Sequence, residues 1–459
     1  MSRPASRGIS AFVLIVLGQF FSLIGSSLTG FALAVWVYQT TGSVTGLALI
    51  SLCSVLPVIV LSPVAGALVD RWDRRWTMIF SDSGAGLATL LLALLLFLDQ
   101  LQIWHIYALV AFSSACSAFQ RPAYAASIPL LVPKEQLGRA NGLVQAGQAV
   151  GQVISPVLAG SLILAIGLYG IILIDCVSFL FAVLMLLLVR IPRPEASAEN
   201  NAARQTLRQD MAYGWNYIAT RSGLLALVLV SAAANFLVAM VSVLVMPLVL
   251  SVGSAAALGT VLSMGGVGML AGVATMSIWG GPKRRMHGVL GFMLLGGICV
   301  MLAGMWPSLV LFAAAAFGFF FGVPISNGCS QAIYQVKVEP GVQGRVFAIN
   351  SMMAAIVTPL AFLVVGPFAD QVFTPLLLDG GPLAGSVGQI IGTGPGRGIG
   401  LLFIVAGLLM IALVGLGYLY PRLRLVEDEL PDMLADAEPE TTDASRNSNA
   451  RQVIPAEIP

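Results

Sequence analysis

Three ionisable side chains interrupt long apolar runs of this chain: Asp82, Arg121 and Asp175. A charge at membrane depth is costly and marks an ion path, a proton relay or a buried pair. Asp82 stands about a turn and a half into its run, roughly 8 Å from the preceding charged loop. Arg121 stands at a similar depth. The expectation is an Asp82–Arg121 ion pair that neutralises both, with a proton relay as the alternative. Pro122 kinks the helix beside it. Asp175 lies near the end of its run, where it either reaches headgroups or a loop, or carries a proton. Polar residues also recur in stripes: Gln19, Ser22, Ser26 and Thr29; Gln145, Gln148, Gln152 and Ser155; Asn327, Gln331 and Tyr334. Each stripe advances by three or four residues, so each lies on one helical face. An unmet amide in lipid costs several kcal/mol. The glutamines therefore point to a shared watery cavity, and the serines to hydrogen bonds between helices.

A second cluster is the loop Gly66-Ala-Leu-Val-Asp70-Arg71-Trp-Asp-Arg74-Arg75, charged between two apolar runs. Gly66 is expected to end a helix and turn the backbone. Arg71, Arg74 and Arg75 hold the loop on one side of a membrane. Further on, Gly147, Gly151 and Gly160 permit close helix contact, and Pro156 bends the helix that carries them.

The elements that must position these groups follow from composition. The chain has 459 residues, 58% hydrophobic and 10% charged, against about 25% charged in a soluble domain. Lipid must solvate much of it. A net charge of +2 implies no nucleic-acid partner. The five cysteines lie in apolar runs without metal-ligand spacing and read as small hydrophobes. The histidines, His105 and His287, are isolated, so no metal site is expected. Gly392-Thr-Gly-Pro-Gly-Arg-Gly398 is no phosphate cradle, because no strand precedes it and no Lys-Ser/Thr follows. No cofactor is expected, nor an enzyme: no nucleophile, metal or acid pair stands at membrane depth. No signal peptide is expected either.

With about 20 apolar residues per crossing, the chain divides into about twelve spans: 10–38, 44–66, 77–98, 104–127, 140–166, 169–190, 224–250, 256–280, 287–305, 308–334, 345–369 and 398–420. The fold class is an all-α membrane protein of twelve transmembrane helices in two six-helix bundles. Apart from Arg121 within a span, every Lys and Arg falls in one set of alternate loops or the termini, with Arg397 alone opposite. The positive-inside rule then puts both termini in the cytoplasm, in a cytoplasmic (inner) membrane. Residues 1–190 form the N-terminal bundle. Residues 191–223 form a cytoplasmic linker whose Leu207, Met211, Trp215 and Ile218 make an amphipathic helix at the membrane surface. Residues 224–420 form the C-terminal bundle, and 421–459 a disordered acidic tail. The loop 370–397 is Gly-rich, either a cover for the outer mouth or loose.

The charged loop resembles the signature between helices 2 and 3 of major facilitator superfamily transporters. Leu17-Gly-Gln-Phe-Phe-Ser-Leu-Ile-Gly25, Thr41-Gly-Ser43 and Leu137-Gly-Arg-Ala-Asn-Gly142 resemble its macrolide and siderophore exporter branch. The halves also echo each other, as Leu109-Val-Ala-Phe112 and Leu309-Val-Leu-Phe312 show; parallel repeats are a described property of that superfamily. The resemblance implies that Asp70 latches onto the positive start of helix 11 at Gly344-Arg345 when the cytoplasmic side is closed. It implies that the polar stripes, with Asn235 and Asn350, line a central cavity. The Gly147–Gly160 stretch partly matches the helix 5 motif of the family's antiporters. The function implied is proton-coupled export of an amphiphilic small molecule by a monomer in membrane lipid. Movement of a lysophospholipid or solute, or a non-transporting sensor, are the alternatives.

Overall fold

Every long apolar run of the chain is helical, because in lipid a helix satisfies its own backbone. The structure is a computed structural model that describes residues 5–69, 71–133, 136–189, 191 and 207–433. Among the described residues there is no strand. The N-terminal half holds α1 (Ala5–Thr41), α2 (Val44–Val69), α3 (Arg74–Phe97), α4 (Ile103–Leu131) and α5 (Leu137–Leu188). After α6 (Leu207–Ala219), the C-terminal half holds α7 (Ser222–Leu250), α8 (Ala255–Trp279), α9 (Arg285–Met305), α10 (Leu309–Lys337), α11 (Pro340–Pro367) and α14 (Arg397–Leu419). Between α11 and α14 lie a π-helical turn (Phe368–Phe373) and the short α12 (Thr374–Leu376) and α13 (Val387–Ile391). The described part closes with α15 (Pro421–Arg424) and α16 (Val426–Glu429).

Helix α5 has 52 residues, about 78 Å at 1.5 Å per residue, more than twice a bilayer core of about 30 Å. It breaks at Gly167, whose φ of 67° suits glycine. Gly147 and Gly151 of the first arm face Phe20 and Leu23 of α1, in the same chain order. In the second arm, Met185 and Ser178 meet Gly18 and Gly25, in the reverse order. The arms are therefore antiparallel and sandwich α1. Ten described helices, α5 among them, are long and apolar enough to cross a membrane. With α5 taken as two crossings and the more polar α4 added, the crossings number twelve.

The helices alternate between two ends. The basic end carries the starts of α3, α9 and α11; the far end carries the starts of α2, α4 and α14. At the far end one hydrophobic core joins both halves, from Val35, Val44 and Leu47 to Leu244, Leu258 and Phe362. At the basic end each half keeps a core of its own, around Met78 and Leu131 in one and around Leu224 and Ile333 in the other. The halves are joined at one end and separate at the other.

Four local expectations change. Gly66 does not end its helix; α2 continues to Val69. The face of α6 at Gly214, Tyr217 and Ile218 is buried, while Trp215 is 45% exposed. That helix docks on α11, where Gly214 lies against Ile349 and Arg345. Residues 421–433 are not tail but fold back on the basic end. There Lys337, 7% exposed, donates to the carbonyls of Glu427 and Leu430 and pairs with Asp432 at 2.6 Å. Residues 434–459 lie outside the described residues. The Gly-rich loop is folded: Arg397 is buried and donates to the Ile391 carbonyl at 2.8 Å, and Gly394 N to the Leu377 carbonyl at 2.9 Å.

Candidate functional site

The far-end closure rests on two helix pairs. In the first, α5 crosses α8 at small residues. A Cβ on Gly160 would lie 2.5 Å from the Ala255 carbonyl, one on Gly266 would lie 2.8 Å from the Val153 side chain, and Gly259 lies directly on the Pro156 carbonyl. Ser263 Oγ of α8 donates to the Val153 carbonyl at 2.5 Å. In the second pair, Asp370, in the π-helical turn after α11, receives the start of α2. Its carboxylate accepts from Ser43 Oγ (2.7 Å), Val44 N (3.0 Å), Thr45 N (2.9 Å) and Thr45 Oγ1 (2.7 Å). A carboxylate at a helix N-terminus meets the unpaired N–H groups and the positive end of the dipole. The sequence reading missed Asp370. Its signal was Gly42-Ser43-Val44-Thr45, a helix start needing an anion.

Below this closure the first arm of α5 shows four faces. At roughly 100° per residue, Gly147 and Gly151 point to α1, while Val153 and Gly160 point to α8 on the opposite side. Gln145, Gln148 and Gln152, all exposed, fall in one arc between them. The exposed Leu143, Val150, Ile154 and Val157 fall in the other. The apolar arc suits lipid, and the glutamine arc faces the space between α1 and α8. In the other half, Asn235 and Asn327 line one cavity of about 110 Å³ with Ser231, Ser326 and Ser330. An apolar cavity of about 70 Å³ adjoins it and shares Val238 and Phe319. Gln331 is exposed and Asn350 half-buried. Tyr334 is 1% exposed, packed edge-on against Phe347, so it belongs to the core of its half.

The carboxylates of the first half have other partners than expected. Asp82 is buried and accepts from Gln19 Nε2 at 2.7 Å; Gln19 Oε1 in turn accepts from Gln120 Nε2. Arg121 is exposed, and among the described residues no ion pair joins it to Asp82. The reason is register: Gln120 presents the inward face of α4, and Arg121, one residue on, turns outward. Asp175 is 1% exposed, among Ser26, Thr89 and Ser178, so it does not reach headgroups. Ser22 is buried on α1.

At the basic end, Asp70 lies outside the described residues. Asp73 caps α3, accepting from Arg75 N and Trp76 N. Arg74 donates to the Ala126 carbonyl at 2.7 Å, and Arg75 to the carbonyls of Leu186 and Leu187 at 3.0 and 2.7 Å. These cations sit on a carbonyl near the end of α4 and on the last carbonyls of α5. Arg71 lines a lateral cleft of about 680 Å³ with Trp72, Trp76, Phe80 and Phe119. The second half repeats the pattern with a borrowed acid. Glu427 accepts from Arg285 N and Met286 N at the start of α9, and Arg285 donates to the Ala332 carbonyl. Gly344 is exposed, and the Arg345 guanidinium lies 5.1 Å from the Tyr213 ring centroid.

Residues 15–362 match the model of the Major Facilitator Superfamily. The chain belongs to the major facilitator superfamily. It is therefore a multi-pass membrane transporter, not an enzyme. It is 29% identical over 369 residues to macrolide efflux protein A of Streptococcus pyogenes, covering 79% of this chain and 90% of that one. It is 26% identical over 376 residues to the multidrug efflux pump Tap of Mycolicibacterium fortuitum, covering 78% and 89%. Among solved structures, a bacterial homologue of the lysosomal transporter Spinster in an inward-facing, unoccupied conformation superposes with a TM-score of 0.67 at 14% identity. It covers 93% of this chain and 99% of that one. A bacterial homologue of the iron transporter ferroportin, inward-facing, superposes with a TM-score of 0.63 at 14% identity, covering 88% and 98%. Superfamily membership accounts for the two halves.

Proposed function

We propose that this transporter exports an amphiphilic small molecule from the cytoplasm by alternating access, in exchange for protons. The observation that carries the reading is the pairing of one shared core at the far end with two separate cores at the basic end. Polar side chains of both halves, Gln145, Gln148 and Gln152 on one and Asn235, Asn327 and Gln331 on the other, stand below that closure. The one-sided Lys and Arg support a cytoplasmic basic end, and with it an inward-open conformation. Export is supported by the efflux activity in the names of the related proteins. An amphiphilic cargo suits a polar cavity that opens onto an apolar one. Asp82 and Asp175 are the coupling carboxylates, with Asp82 carrying the proton, and Gly344-Arg345 with the 66–75 loop is the inner gate. The chain works as a monomer.

Movement of a lysophospholipid is the second reading, and the lateral cleft lined by Trp72, Trp76 and Phe80 favours it. Transport into inverted vesicles, with a macrolide or a fluorescent lysophospholipid and with or without a pH gradient, tests both. Gradient-dependent uptake of the drug supports export. Uptake of the lipid alone supports the second reading, and uptake of neither, in vesicles where a control exporter works, sinks both.

A further inference from the structure

Asp175 lies in the second arm of α5 and is 1% exposed. Oxygens converge on it from three helices. Ser26 Oγ of α1 and Ser178 Oγ stand 3.4 Å from its Oδ1, and Thr89 Oγ1 of α3 stands 3.4 Å from its Oδ2. These separations exceed ordinary O–H···O bonds of about 2.5–3.0 Å. Two of the hydroxyls also have carbonyl acceptors: Ser178 donates to the Asp175 carbonyl at 2.8 Å, and Thr89 has the Ala85 carbonyl at 3.3 Å. Each of these hydroxyls also carries lone pairs that can face a cation. Thr29, one turn along α1 from Ser26, is 6% exposed, and its Oγ1 lies beside the carboxylate. Among the described residues no basic side chain pairs with Asp175. Gly25 makes room for the cluster, since a Cβ there would lie 2.7 Å from Asp175 Oδ1 and would collide with Ser178 Oγ.

We infer that Asp175, Ser26, Thr29, Thr89 and Ser178 form a binding site for a sodium ion. A hard cation held by oxygens at about 2.3–2.6 Å keeps adjacent octahedral ligands roughly 3.3–3.7 Å apart. The 3.4 Å separations match that spacing. One carboxylate among neutral hydroxyls balances a single positive charge; a divalent ion would leave an uncompensated charge at membrane depth. A larger alkali ion, such as potassium, would spread the oxygens further. Ser26 is the exposed lip of the cluster and gives the ion its way in. The role in transport rests on the exporter reading, with sodium at Asp175 and the proton left to Asp82; the binding itself does not.

The test is equilibrium binding of radiolabelled sodium to the full chain in detergent, in a choline background above the ordinary carboxylate pH range. The expected result is saturable uptake of roughly one ion per chain, poorly displaced by potassium and abolished by Asp175→Asn. Thr89→Val and Ser26→Ala keep the carboxylate and should weaken binding at least ~10-fold. No saturable binding by the wild-type chain, or unchanged affinity in both hydroxyl variants, overturns the site. Saturable sodium binding that Asp175→Asn leaves unchanged puts the ion elsewhere and also overturns the site. No cargo enters this assay, so its failure leaves the export reading standing, and a failed export assay leaves the site standing.

Discussion

Asp370 holds Thr45 twice, accepting from its amide at 2.9 Å and from its hydroxyl at 2.7 Å across the boundary between the halves. One carboxylate thus adds to the Ser43 cap of α2, whose hydroxyl accepts from Gly46 N at 3.2 Å, and fastens α11 to that helix. The contact is half-buried, and a charged acceptor at a helix start contributes about 1–3 kcal/mol. That is enough to bias a two-state equilibrium roughly 5- to 150-fold without locking it.

Asp370→Asn should therefore loosen the far end. The measurement is maleimide labelling of a Leu47→Cys reporter in a background without other cysteines; Leu47 is 3% exposed within the shared core. Labelling should rise several-fold in the Asp370→Asn chain. Unchanged labelling means the carboxylate caps α2 but does not hold the closure.

The α5–α8 crossing depends on glycine for a different reason. Gly259 lies against the Pro156 backbone, which cannot rotate away, so Gly259→Val must push the helices apart. Transport should fall at least ~10-fold, with ordinary expression. Gly142 has open space around it, and Gly142→Ala should leave transport unchanged and the helix slightly more stable. Equal damage from both variants would mean that general helix perturbation, not the crossing, is being measured.

Asp82 is the buried carboxylate with an amide for a partner. Asp82→Asn keeps the shape and removes the titratable group, so gradient-driven flux should be lost while cargo exchange without a gradient persists. Gln19→Ala should weaken coupling less, because Gln19 only positions the carboxylate. Full gradient-driven flux in Asp82→Asn removes this residue as a carrier.

The glutamine arc makes a prediction about cargo. Gln148→Leu should raise the apparent KM for a polar macrolide several-fold, with little change in maximal rate. The exposed Val150 on the opposite arc serves as the control, and Val150→Leu should change neither. An equal effect at both positions contradicts the assignment of the two arcs.

Lys337 anchors the returning C-terminal segment. Lys337→Ala leaves the acceptors of Glu427 and Leu430 unpaired and should destabilise the segment by about 1–3 kcal/mol. Limited proteolysis near residue 430 would report this as faster cleavage. Cleavage at the wild-type rate would show that Glu427 and the apolar contacts of Val426 suffice.

Much of this was legible in the residues. Apolar length and the placement of Arg71, Arg74, Arg75, Lys283 and Arg345 carry the span count, because the bilayer imposes one period on the whole chain. What periodicity could not supply was partnership between distant elements. Asp82 chose Gln19, 63 residues away, over a neighbour at equal depth, since depth alone does not say which way Arg121 turns. Asp370 looked like the first residue of a loop, yet a wide π-helical turn keeps it on the helix and aims it at α2. The acidic residues at 427–432 read as a solvated tail because their cations, Arg284 and Lys337, stand 144 and 95 residues before their partners Asp428 and Asp432.

The central claim is that the two ends open in alternation, and paired spin-label distances test it most directly. One pair, at Gln100 and Gln389, spans the far end; the other, at Arg139 and Gln335, spans the basic end, and all four side chains are exposed. On adding a macrolide with a pH gradient in proteoliposomes, the basic-end distance should shorten as the far-end distance lengthens. Two distances that stay fixed, or that change in the same direction, would contradict the account.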